Sequence, residues 1–239
     1  MGFNLKRYRP AVGKVQWLTG TRSDIQFAVK ELAREVSDLQ PSSIVKLKHL
    51  LRYLKGTMNL KLAFVQHPQS DPELKIFVDA NWAGCLKSRR STTGFVIFYM
   101  DNVVHSGSKT QNSVALSSAE SELYAVCTGV TEAIRLRNVI DNAECLPQSN
   151  IYEVNIQLMS DSSPALAITR RQGPGKKSKH IEIRYLFVQD LYKLGTVKIA
   201  KVHTDDNMSD LQTKYLSSDK LSKFIAMQML RDGTESVGH

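Results

Sequence analysis

The hydrophobic period of this chain changes near residue 70, and that change limits what it can fold into. Before it, apolar residues recur at helical spacing. "SDIQFAVKELAREVSD" puts Ile25, Ala28, Val29, Leu32 and Val36 on one face. "IVKLKHLLRYLKG" does the same with Ile44, Leu47, Leu50, Leu51 and Leu54. Ser23 with Gln26 has the form of a capping box, and Gly56 suits a helix C-cap. Two such helices with a short link predict an αα-hairpin. "VQHPQSDPE" (65–73), with two prolines among polar residues, reads as a linker.

After it the pattern is that of strands. Residues 74–79, 92–100 ("TTGFVIFYM") and 102–108 ("NVVHSGS") read as three, with Asp101-Asn102 as a hairpin turn signal. A long helix follows over 117–143, then a strand at 154–161 and a short helix in "SSPALAITRR". "QGPGKKSK" is a basic loop, "HIEIRYLFVQDLYKLG" a helix closing on Gly195, and 196–203 a fifth strand. "NMSDLQTKYL" opens a last helical part. The expectation is an α/β fold with a five-stranded mixed sheet covered by helices, preceded by a small helical segment. The expected domains are 1–70 and 71–239.

Charge divides along the same boundary. Residues 1–70 hold 12 Lys and Arg against 4 Asp and Glu, giving +8; residues 71–239 hold 20 against 19, giving +1. Basic surface of that density suits a polyanion, nucleic acid foremost, although a plain solubility surface has the same look. No apolar run approaches the ~20 residues of a membrane helix, and the start, "MGFNLKRYRP", has no apolar signal core. Cys85, Cys127 and Cys145 are odd in number and form no CxxC pair, which argues against both a disulfide framework and a zinc site. An intracellular protein with reduced thiols is expected.

The chemistry-bearing residues are acids at element ends. Asp79 ends the strand in "LKIFVDANWAG", Asp161 ends the strand in "LMSDSS", and Asp210 lies near the start of the last helical part. The long helix offers Glu120 and Glu122. Ser117-x-x-Glu120 fits a capping box, so Glu120 has a structural role and Glu122, one turn in, is free to face the sheet. Four carboxylates that met without counter-charge would repel one another. Hard oxygen ligands of this kind suit magnesium or manganese, and two such ions ~4 Å apart can clamp an in-line phosphoryl displacement. The competing reading is four unrelated caps and turn formers, which spacing alone does not exclude.

"VDANWAG", "RRSTTGFVIFY", "GSKTQNSVALSSAESELYAV", "SDSSPALAI", "KSKHIEIRYLFVQDL" and "VHTDDNMSDLQTKYL", in this order, resemble the ribonuclease H domain of copia-type retrotransposon polyproteins. The front, from "YRPAVGKVQWLTGTRSDIQFAVKELAREVS" to "LLRYLKGT", resembles the segment that closes the reverse transcriptase and joins it to that domain. The resemblance implies a ribonuclease H-like fold behind a thumb- or connection-like helical segment. It implies metal-binding acids at Asp79, Glu122, Asp161 and Asp210, with Mg2+ or Mn2+, two ions, as cofactor. It implies endonucleolytic cleavage of the RNA strand of RNA–DNA hybrids, leaving a 3′-hydroxyl and a 5′-phosphate. The implied partners are the hybrid and the reverse transcriptase of the same polyprotein, with no membrane; the implied setting is a cytoplasmic virus-like particle or the nucleus. His203 stands where the family often has Pro and is a candidate aid to product release, against the reading of an exposed His at a strand end. His180 reads as a structural residue at a helix start. Asn81 replaces a common Asp, and Tyr215 a usual Pro that should alter only the following loop. The tyrosine–x–Asp–Asp polymerase motif is absent from the sequence. Two further readings remain: a non-catalytic nucleic-acid-binding module, and a fragment that interacts with the reverse transcriptase through apolar surface at Ile44, Leu47 and Leu51.

Overall fold

The computed structural model describes residues 5–66, 72–143, 154–171, 182–228 and 230–232. The basic loop at 172–179, His180 and Cys145 lie outside the described residues. Internal contacts divide the chain into two compact units: Met1–Phe64 with Lys214–His239, and Val65–Thr213. The sequence suggests one boundary, near 70; the units have a second, after Thr213.

The first unit is built on α1 (Leu5–Leu18), α2 (Gln26–Arg34) and α3 (Pro41–Gly56). The apolar stripes read from the sequence are largely the buried ones: Ile25, Val29 and Leu32 meet Leu47 and Leu50, and α1 adds Tyr8, Val12 and Val15. The Tyr8 hydroxyl donates to Leu32 O at 3.1 Å, and burial, with the charge of Glu35, pushes its pKa up to about 12. Leu47 is fully buried, so it offers no apolar surface to a partner, whereas Leu51 is exposed. The capping box expected at Ser23 and Gln26 does not form. Residues Ser23–Ile25 are a 3-10 turn; Ser23 Oγ donates to Gln228 Oε1 at 2.6 Å, and Gln26 Nε2 to Thr19 O at 3.1 Å. Both side chains are thus committed elsewhere. Gly56 is the last helical residue, and the cap is Thr57 with φ −124°. A short strand, β1 (Leu60–Leu62), pairs antiparallel with β7 (Leu230–Asp232), which follows α7 (Ser218–Met227). Tyr215 packs edge-on against Phe27 with ring centroids 4.9 Å apart, a role beyond the local loop change expected of it.

The second unit holds the five-stranded sheet. Its strands are β2 (Glu73–Asn81), β3 (Thr92–Tyr99), β4 (Asn102–Thr110), β5 (Asn155–Ser160) and β6 (Val197–Lys201), in spatial order β4-β3-β2-β5-β6. The first three form an antiparallel meander, and β2, β5 and β6 run parallel. With helices α4 (Ser118–Asp141), α5 (Ser163–Arg170) and α6 (Glu182–Lys193), this is a ribonuclease H-like α/β fold. The β3–β4 turn sits one residue earlier than the sequence signal. Met100 and Asp101 take positive φ (48° and 60°) and Tyr99 pairs with Asn102, the primed geometry that matches strand twist. The Asn102 side chain is held elsewhere, since its amide donates to Val65 O at 2.9 Å and its Oδ1 accepts from Val65 N at 2.7 Å.

Alternation along β2 sends Leu74, Ile76, Val78 and Ala80 to one face, where α4 covers them with Leu123, Val126 and Val130. Each such side chain, fully buried, contributes roughly 2 kcal/mol. The helix lies so close that a Cβ on Gly129 would come within 2.5 Å of Val78 Cγ1. The odd residues of β2, Asp79 among them, point to the opposite face.

Candidate active site

The two parallel central strands set the position. Phe77 pairs with Met159, and each chain continues two residues further to an aspartate, Asp79 and Asp161. Both acids therefore lie at the same end of the sheet, just past the last paired residues of neighbouring strands. Asp79 is buried and Asp161 half-buried.

A 3-10 turn, Met208–Gln212, brings the third acid. The sequence suggests a helix start here. Asn207 caps the turn instead, its Oδ1 accepting from Ser209 N at 3.4 Å and from Ser209 Oγ at 2.5 Å. Asn207 Nδ2 donates to Val78 O and to Asp161 Oδ1, both at 3.0 Å, and so ties the turn to β2 and to the end of β5. On the far side of the turn, Thr213 Oγ1 contacts Asp210 O at 3.2 Å and donates to Asp79 Oδ2. Asp210 is fully buried between these two anchors. Gly94, opposite Asp79 on β3, makes room for them: a Cβ there would meet Thr213 Cγ2 at 2.5 Å and both Gln212 Cβ and Ser209 O at 2.8 Å. The carboxylates of Asp79 and Asp161 and the backbone of Asp210 therefore belong to one hydrogen-bonded network.

The two helix glutamates are placed differently, and Glu120 has the expected capping role. Ser117 Oγ accepts from Glu120 N at 3.1 Å, and Glu120 reaches back to Leu116 N at 2.7 Å, one residue before the N-cap. Its other oxygen accepts from Tyr124 OH at 3.3 Å. Glu120 thus secures the helix start. Glu122 lies two turns before Gly129 on the same helix face, about 10.5 Å along the axis toward the strand ends that carry the aspartates. Gln111 fixes that part of the helix: its amide donates to Ser121 O at 2.8 Å and to Thr93 Oγ1 at 3.0 Å, and Thr93 pairs with Ala80. Glu122 reaches this end of the sheet by that route, and its Oε2 is buried.

Asn81 donates to Thr213 O at 3.3 Å, bracing the same turn. His203, exposed at the end of β6, accepts from Asp205 N at 3.3 Å and stands outside the network. Sequence reasoning missed Asn207 and Thr213, the residues that hold the acids. Their signal was available, since they sit three residues to either side of Asp210.

Hard carboxylate oxygens on β2, after β5 and in the Met208–Gln212 turn have the donor chemistry that magnesium or manganese takes. The arrangement is looser than a formed metal centre: among the described residues, no group of three or more His, Cys, Asp and Glu is gathered to hold an ion.

Comparison with known proteins decides the lineage. No family model matches the chain. It is 29% identical over 214 residues to the retrovirus-related Pol polyprotein from transposon TNT 1-94 of Nicotiana tabacum, covering 89% of this chain and 15% of that protein. It is 28% identical over 223 residues to the Pol polyprotein from transposon RE1 of Arabidopsis thaliana, covering 91% of this chain and 14% of that one. These relatives are retrovirus-related Pol polyproteins of plant transposons, each matched over most of this chain. The chain spans about one seventh of the length of these Pol relatives. Among solved structures, a foamy viral protease–reverse transcriptase in complex with an RNA/DNA hybrid shares its fold, with a TM-score of 0.52 and 12% identity over 91% of this chain and 27% of that one. No described helix is long and apolar enough to cross a membrane.

Proposed function

We propose that this chain is a retrotransposon-type ribonuclease H: a metal-dependent endonuclease that cuts the RNA strand of RNA–DNA hybrids. One observation carries the reading, the network that ties the Asp79 and Asp161 carboxylates to the backbone of the turn bearing Asp210, at the end of the parallel strands. Glu122 approaches the same end from α4, and the chain's similarity to Pol polyproteins supports the assignment. These four acids are the residues that would hold two ions of Mg2+ or Mn2+. A divalent cation bound there supplies positive charge at the scissile phosphate and lowers the pKa of the attacking water. The chain's own residues do the holding. Thr213 donates to one carboxylate oxygen of Asp79 and Asn207 to one of Asp161, which orients both side chains. Tertiary burial of Asp210 keeps competing water away from it. The reverse transcriptase portion of a longer polyprotein is the proposed protein partner, and His203 a proposed aid to product release.

The test is cleavage of a labelled hybrid with magnesium, beside single-stranded RNA and duplex DNA. Cutting of the hybrid alone, abolished by EDTA and by Asp79→Asn, is expected. Cutting that survives Asp79→Asn would overturn the assignment. One observation favours a second reading, binding of nucleic acid without catalysis: the described acids are not gathered around a metal position. Salt-sensitive hybrid binding with no cleavage in any divalent metal would select it.

A further inference from the structure

Between Asp79 and Asp101 the sequence has no acid, yet it carries Lys87, Arg89 and Arg90 in a single loop that leaves β2 two residues after the aspartate. The loop is built, and not merely solvated. Trp82 Nε1 donates to Ala115 O at 3.0 Å, and Ala83 N donates to the buried Ser91 Oγ at 3.0 Å. Cys85 N donates to Arg90 O at 3.1 Å, Arg89 N to Cys85 O at 2.7 Å, and Ser88 N to Cys85 Sγ at 3.3 Å. Cys85 is buried beneath them. Ala83 and Arg89 are held at positive φ, 51° and 55°, which non-glycine residues adopt only when their surroundings enforce it. The product of this pinning is a rigid tip on which Lys87, Ser88, Arg89 and Arg90 are all exposed. A polyanion approaching Asp79, Asp161 and Asp210 meets like charge, so cations beside the acids are needed to hold it.

We infer that the Lys87–Arg90 tip is a phosphate-backbone contact: it grips the sugar–phosphate chain of a nucleic-acid duplex whose neighbouring phosphates lie over the acidic end of the sheet. The inference deepens the nuclease reading and rests on it for the identity of the ligand. Phosphates are common to RNA and DNA, so the tip adds affinity without choosing between strands.

The test is equilibrium binding of the full chain to a fluorescent RNA–DNA hybrid in EDTA, across a salt series, with a duplex DNA of the same sequence alongside. The variant is Lys87→Gln/Arg89→Gln/Arg90→Gln. Lys193→Gln/Lys198→Gln, two exposed cations at the opposite end of β6, is the control. Affinity on the order of 10–100-fold weaker at ~0.1 M salt is expected for the triple variant on both duplexes, with a log–log salt slope shallower by about 2–3. The control should stay within about twofold. The single variants Lys87→Gln and Arg90→Gln, which leave the loop's backbone bonds in place, should each lower the slope by about one. An unchanged slope in folded triple or single variants overturns the inference, as does an equal loss in the control or a loss confined to the hybrid. Failure of the nuclease reading looks different: the loop-dependent binding persists while no metal supports cutting.

Discussion

Each unit buries a carboxylate, and the two are satisfied by different kinds of partner. In the helical unit, Asp24 faces the Arg22 guanidinium in a two-pronged pair, Nε to Oδ1 at 2.9 Å and Nη2 to Oδ2 at 2.7 Å. The Tyr53 hydroxyl donates to the same Oδ2 at 2.6 Å, and burial followed by that carboxylate pushes the Tyr53 pKa up. Arg22 goes on to Thr57 O and Oγ1, closing the unit around the end of α3. In the sheet unit, Asp79 and Asp161 take neutral donors, a Thr213 hydroxyl and an Asn207 amide. A carboxylate matched by a full positive charge has finished its electrostatic work and serves the fold. A neutral donor orients a carboxylate without cancelling its charge. The contrast separates a structural acid from candidate functional ones without reference to lineage.

The sharpest way to break it is to neutralise one acid of each kind. Asp79→Asn should lower hybrid cleavage by about 10³-fold or more, on the order of 4 kcal/mol in the barrier, while urea unfolding changes little. Arg22→Met should do the reverse, since it strands Asp24 in the interior: a loss of about 3–5 kcal/mol in stability, read in the denaturation midpoint. Exchange of these phenotypes would end the distinction. Asn207→Ala tests the neutral clamp. Removal of a fully buried amide that serves Val78 O, Asp161 and Ser209 should cost about 1–3 kcal/mol, with cleavage falling as Asp161 loses its fixed rotamer. Within one helix, Glu122→Gln should abolish cleavage at near-native stability, whereas Glu120→Gln should cost ~1 kcal/mol of stability and leave cleavage measurable.

The smallest effect is one of pH. Glu132 binds Lys109 at 2.5 Å and Arg135 at 3.3 Å, with His105 at 3.8 Å. Burial alone would raise the Glu132 pKa, but Lys109 and Arg135 outweigh it and hold the group below its ordinary value. Burial, foremost, lowers the His105 pKa, with Lys109 and Arg135 adding to it against Glu132. A depressed folded-state pKa gives stability that is present above the ordinary value and lost as pH falls through the folded one. Acidification from pH 7 toward 4 should therefore destabilise the folded chain, His105 acting first and Glu132 last. Glu132→Gln should remove about 0.5 kcal/mol of that dependence, measured as thermal midpoint against pH.

Much of the fold was legible in the sequence because period reports burial. All five sheet strands, the long helix and the Gly195 stop, with φ 73°, stand where hydrophobic spacing and punctuation put them. Local capping was legible where the cap had no rival, at Ser117, and misleading at Ser23, whose hydroxyl is taken by Gln228, 205 residues away. The helix α1, with Pro10 inside it, falls within the front of the chain that reads as helical. Gly94 reads in sequence as a weak point of a strand, and only the packing of the Met208–Gln212 turn shows why a larger residue does not fit.

The sequence by itself determined the alternation of faces, the placing of Asp79 and Asp161 at strand ends, and the division of Glu120 from Glu122, because these depend on spacing along one chain. Tertiary structure alone decided which distant groups meet. Asn207 reaches β2 across 129 residues and Thr213 reaches Asp79 across 134, and the return of the chain after Thr213 joins Gln228 to Ser23. Such contacts form only once burial has set the loop closures that local pattern does not encode.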